Sequence, residues 1–170
     1  MKTLVELKSL LSHRHVLVDS NFLLEANKSP EDFKEIFDIF ISADCIPMLT
    51  RFTEFEFLRC SYQQEVIVRQ REFLKAWGFL THPLAMQPDR LSEEALEIAN
   101  YYQARGIKTP SLTDCFLAAL LRQKKDLFLI TRNHKDFPLE LFHRLYVWNV
   151  DRERDVLAFG LYQARAVNLR

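Results

Sequence analysis

The sequence predicts an α/β fold, a three-layer α/β/α sandwich with a mostly parallel central sheet. Three observations carry that expectation. Short apolar runs, Val16-Leu17-Val18, Cys45 to Leu49, Leu127 to Thr131 and Leu145 to Val150, alternate with longer stretches of helical periodicity. The first three runs are nearly free of polar residues, as strands covered on both faces are. With 170 residues, 48% of them hydrophobic and 27% charged, the chain has the size and composition of one globular domain with a sizeable core.

The elements follow in order. Leu4, Leu7 and Leu11 stand at helical spacing, so residues 2–12 form a short amphipathic helix within an N-terminal extension, 1–14, of a single domain over 1–170. The core occupies residues 15–150. Val16 to Val18 is a buried strand ending at Asp19, and Ser20 to Lys28 is a helix. Ser29-Pro30 opens another helix, to about Ser42, with Phe33, Ile36, Phe37 and Phe40 on one face. Cys45 to Leu49 is the second strand, and Thr50 caps the helix beyond it. A long, charged helical region continues to about Trp77. Leu91, Ala95, Ile98, Ala99 and Tyr102 stripe a further helix, which Gly106 stops. Thr109-Pro110 starts the next, threonine as cap and proline at the first helical position. Leu127 to Thr131 is the third strand and Leu145 to Val150 the fourth.

Composition also excludes. Lys plus Arg and Asp plus Glu are 23 each, so no basic excess holds this chain to nucleic acid by bulk electrostatics. The three glycines, Gly78, Gly106 and Gly160, are isolated and build no phosphate-cradling loop. The N-terminal stretch is interrupted by charge, and the longest apolar run, Cys115 to Leu121, is far short of a membrane span. Cys45, Cys60 and Cys115 lie among apolar neighbours without a C-x-x-C, which predicts buried reduced thiols in a cytoplasmic protein without a zinc site.

Among 23 acids, position is informative. Asp19 ends an apolar strand; Glu54 lies early in the helix after the second strand; Asp114 lies among Leu112, Cys115 and Phe116; Asn133 and Asp136 follow the third strand. In an open parallel sheet, strand carboxyl ends face one crevice, so these segments deliver carboxylates to one place. Converging carboxylates repel unless a cation sits between them, and Mg²⁺ or Mn²⁺ prefers such oxygen ligands. The chemistry indicated is metal-assisted phosphodiester hydrolysis. The bland alternative is helix capping and dipole stabilisation for Glu54 and Asp114, and turn chemistry for Asp136 before Phe137-Pro138. Asp19 fits it least, because a charge abutting a buried strand is costly to desolvate.

Four segments resemble, in order, the motifs of the PIN domain family, metal-dependent ribonucleases that include the toxins of bacterial VapBC toxin–antitoxin pairs. They are Val16-Leu17-Val18-Asp19-Ser20-Asn21-Phe22-Leu23, Thr53-Glu54-Phe55-Glu56-Phe57-Leu58, Ser111-Leu112-Thr113-Asp114-Cys115-Phe116-Leu117-Ala118-Ala119 and Thr131-Arg132-Asn133-His134-Lys135-Asp136-Phe137. The resemblance implies a Mg²⁺- or Mn²⁺-dependent endoribonuclease acting on RNA, a protein antitoxin as partner, and a metal triad of Asp19, Glu54 and Asp114 with Asp136 as supporting acid. Ser20, Asn21 and Thr131 become hydrogen-bonding partners near the metal. Asn133 departs from the pattern, where many members carry aspartate; its neutral oxygen would hold a second metal more weakly.

Arg51 and Arg132 flank these motifs and are candidate phosphate contacts, whereas Arg69, Arg71 and Lys75 read as a solvated face beside Glu65 and Glu72. Most of the 14 phenylalanines recur at helical spacing and read as core; the Phe33/Phe37/Phe40 and Phe52/Phe55 faces also offer a homodimer contact or an antitoxin groove. The competing expectation is a PIN-like module that binds RNA or protein without cleaving. A phosphatase using Asp19 as nucleophile ranks last, because Asn21 stands where that chemistry wants a second acid.

Overall fold

In the computed structural model, which describes residues 3–59, 63–81, 88–152, 155–167 and 169, the strands are β1 (His15–Val18), β2 (Ile46–Leu49), β3 (Leu80–Thr81), β4 (Phe128–Thr131), β5 (Phe142–Asp151) and β6 (Val156–Ala164). The helices are α1 (Leu4–Leu11), α2 (Ser20–Lys28), α3 (Lys34–Ser42), α4 (Arg51–Arg59), α5 (Gln64–Ala76), α6 (Pro88–Ala104) and α7 (Leu112–Gln123), with a 3₁₀ turn over Pro30–Phe33 before α3. The strands form one sheet ordered β3-β2-β1-β4-β6-β5.

Alternation along the strands divides the core between the two faces of the sheet. Val16 and Val18 of β1, with Phe128 and Ile130 of β4, meet apolar residues of α1, α2, α3 and α5. Leu17 and Leu129 point the other way and meet α6 and α7. Val16 to Val18 and Phe128 to Ile130 are apolar because helices cover both faces. Leu7 and Leu11 of α1 are fully buried, so the N-terminal extension is part of the core.

The sheet is mixed, which corrects the expectation of a mostly parallel one. β1 pairs in parallel with β2 and β4, and β2 with β3, but β6 runs antiparallel to both β4 and β5. Two strands escape the pattern reading. β3 has only two residues, too few for periodicity, and β6 carries Gly160, which weakens a strand signal. The sheet therefore continues past residue 150, and β6 fills the position between β4 and β5.

Two helix starts differ from expectation: Ser29-Pro30 opens the 3₁₀ turn, with α3 itself beginning at Lys34, and α7 begins later than predicted. α7 starts at Leu112 with Ser111 as its cap, the Ser111 hydroxyl accepting the Asp114 N–H at 3.2 Å; Thr109-Pro110 precedes the helix and does not open it. A free hydroxyl three residues before an available N–H outcompetes a proline two residues upstream. Thr50 does cap α4, accepting the Thr53 N–H at 3.0 Å. After α6, Gly106 takes φ +65° and Ile107 N–H bonds the Tyr102 carbonyl at 3.0 Å, a glycine-terminated end. The predicted helical region up to Trp77 comprises α4 and α5; residues 60–62 between them lie outside the described residues, and Cys60 with them.

Cys45 and Cys115 are buried free thiols, and burial pushes the Cys45 thiol up to about 12. Phe33, Phe37 and Phe40 are also buried, so that face is core and offers no docking surface. Phe52 packs on Phe116 at 4.8 Å, while Phe55 is 65% exposed. Among the described residues, no helix is long and apolar enough to cross a membrane.

Candidate functional site

β1, β2 and β4 run in parallel, so their carboxyl ends lie on one edge of the sheet, and the segments leaving them carry the predicted acids. Asp19 leaves β1, Glu54 and Glu56 lie on α4 beyond β2, and Asn133 and Asp136 follow β4. Asp114 stands in the first turn of α7.

Asp19 is 3% exposed and occupies the cap position of α2, yet its side chain makes no capping bond. Its carboxylate instead receives the Thr131 hydroxyl at 2.6 Å, the Ser20 hydroxyl at 3.3 Å and the Asn21 amide N–H. The Asn21 Oδ1 in turn accepts the Arg132 backbone N–H at 3.1 Å, tying the start of α2 to the end of β4. Burial raises the Asp19 carboxyl above its ordinary range and Glu56 adds to this, while the hydroxyls of Thr131 and Ser20 work against it.

Asp114 is 7% exposed and accepts the Ser111 hydroxyl at 2.6 Å. Burial, then the charges of Asp19, Asp136 and Glu56, push its carboxyl up to about 7. The charges that raise Asp114 are thus those of other acids. Asp136 is half-buried; the Asn133 side-chain amide donates to its carboxylate and the Tyr102 hydroxyl to its backbone carbonyl. Thr131 is fully buried, and its oxygen also accepts the Asn133 N–H at 2.9 Å.

The third acid differs from expectation. Glu56, not Glu54, joins the cluster: Ser20 donates to its Oε2 at 2.9 Å and Thr113 to its Oε1 at 2.7 Å. Glu54 is instead held at 3.0 Å by Arg51 on the same helix. The reason lies in helical geometry. Thr53 and Phe57 are the buried residues of α4, and at 3.6 residues per turn both glutamates flank that stripe, about 80° to either side. Periodicity alone cannot choose between them; the facing hydroxyls of Ser20 and Thr113 do. Arg51 pairs with Glu54, while Arg132 is exposed beside the cluster.

The donors gathered here are carboxylate, hydroxyl and amide groups, a set that suits a hard divalent cation such as Mg²⁺ or Mn²⁺ and not a soft one. Among the described residues, no three His, Cys, Asp or Glu side chains form a ready-made cage. Compared with known proteins, the chain matches no family model and no curated sequence.

Proposed function

We propose that this chain is a Mg²⁺- or Mn²⁺-dependent endoribonuclease of the PIN type, with the three-layer α/β/α arrangement of that family. Asp19, Glu56 and Asp114 hold the ion, and Asp136 supports them. One observation carries the reading: Asp114 is buried, and the charges of Asp19, Asp136 and Glu56 raise its carboxyl. Such a group is stable only when protonated or when a cation enters. A divalent ion bound there supplies activation of water and neutralisation of charge on the phosphodiester.

The chain's own residues orient the acids. Thr131 and Asn21 fix Asp19, Ser20 and Thr113 fix Glu56, and Ser111 fixes Asp114. Hydrogen bonds of this kind set the direction of ligand oxygens. Arg132 is the cation best placed to receive a flanking phosphate. The toxin role, an antitoxin protein as partner, a homodimer and a cytoplasmic setting rest on the sequence resemblance and composition.

The test is RNA cleavage by the purified chain with Mg²⁺ or Mn²⁺. Cleavage is expected, abolished by EDTA and by Asp19→Asn; absence of cleavage with every divalent ion tried would refute the enzymatic reading.

A second reading, a PIN-like module that binds RNA or protein without cleaving, is favoured by a different observation. Each of the three carboxylates already has a hydroxyl partner, and no ready cage is formed among the described residues. Binding of RNA by a chain that takes up no metal is the outcome that selects it.

A further inference from the structure

We infer that His134 and Tyr162, seated over Gly160, are positioning residues that fix the loop carrying Asn133 and Asp136. The inference rests on the reading of the acid cluster as a metal-dependent nuclease site.

The loop after β4 is held at its start by Thr131, whose oxygen takes the Asn133 N–H, and near its end by Tyr102, which donates to the Asp136 carbonyl. His134 is the anchor between them. Its Nε2 lies 3.1 Å from the Ala158 carbonyl on β6, and its Nδ1 lies 2.6 Å from the Tyr162 hydroxyl. A carbonyl only accepts, so Nε2 carries the proton. In the neutral ring Nδ1 is then an acceptor, and the Tyr162 O–H must donate to it. The direction of both bonds follows from that one carbonyl. Tyr162 is 1% exposed, so its hydroxyl, taken out of water, depends on such a partner.

Gly160 is what lets the tyrosine reach. Residues 160 and 162 share a face of β6, and the Tyr162 ring lies back across the glycine. A Cβ at position 160 would stand 2.5 Å from Tyr162 Cε2 and 3.1 Å from its hydroxyl oxygen, so any other residue displaces ring and hydroxyl together. Gly160 also pairs with Thr131, the residue that holds Asp19. One short stretch of β6 therefore registers the loop against the acid cluster.

Substitution of residues that orient metal ligands commonly costs about 10- to 100-fold in affinity or activity. Tyr162→Phe keeps the ring and removes the hydroxyl, both its donation to His134 and its hydrogen bond with Arg144. We expect it to lower kcat for Mn²⁺-supported RNA cleavage about 10-fold with KM little changed. Gly160→Ala does the same. The double variant Tyr162→Phe/His134→Asn loses no more than the worse single one, since both act through one bond. Imidazole ¹⁵N spectra of the metal-free chain give a readout independent of activity: an Nε2–H tautomer, with the Nδ1 signal shifted in Tyr162→Phe. An Nδ1–H tautomer, wild-type kcat in Tyr162→Phe, or losses that multiply in the double variant would overturn the inference. If the wild-type chain cleaves no RNA, the nuclease reading fails instead, and the nitrogen spectra alone decide whether the relay exists.

Discussion

Asp19 sits where a helix cap would, yet its side chain makes no capping bond and takes instead the hydroxyls of Thr131 and Ser20. The same hydroxyl pattern recurs at Glu56 and Asp114. Glu56→Gln is expected to lower RNA cleavage about 100-fold or more, while Glu54→Gln, at the glutamate that pairs with Arg51, stays within about 3-fold. Single-turnover cleavage rates check both. Asp114 gives a pH prediction. Its carboxyl is raised from the ordinary 3.8 to about 7, so between those values the folded chain holds a proton that the unfolded chain has released. This group's contribution to stability is present below about pH 4 and is lost as pH rises through about 7. In EDTA, melting temperature should fall across that window more in the wild type than in Asp114→Asn. Addition of Mn²⁺ should restore it at neutral pH.

At the scale of elements, the first and third motifs were legible because each sits at a sharp boundary. Asp19 closes an apolar strand, and Asp114 lies in a helix start among apolar residues. The middle motif was ambiguous because Glu54 and Glu56 flank the buried stripe of α4 equally, and only the neighbouring elements α2 and α7 break the tie. The start of α7 misled for a local reason. Proline at a first helical position is a strong signal, but Ser111 supplies the hydroxyl that the open N–H groups require. Ser111→Ala should cost about 1 kcal/mol of stability by urea unfolding, and Thr109→Ala close to none. β3 and β6 were hidden by brevity and by a strand-interior glycine. That same glycine lets Tyr162 reach the closing loop, a role that no pattern reading assigns to an isolated Gly.

For the whole molecule, β6 matters more than its late position suggests. It pairs with both β4 and β5, and Phe159, Leu161 and Tyr162 are buried on its two faces. A chain ended after Val150 should lose cooperative thermal unfolding by circular dichroism, because β4 would expose its edge and both core clusters would open. Charge also reads differently over the whole chain. The 23 basic and 23 acidic residues balance, but Asp19, Glu56, Asp114 and Asp136 are gathered at one edge, leaving 23 against 19 elsewhere. Neutrality overall thus conceals a local negative site that bound cations would invert. The most direct measurement is calorimetric titration of Mn²⁺ into the metal-free chain at neutral pH. The account predicts saturable binding, accompanied by proton release from Asp114, that is lost in Asp19→Asn and Glu56→Gln but retained in Glu54→Gln. Absence of saturable binding in the wild type, or equal loss in Glu54→Gln, would contradict it.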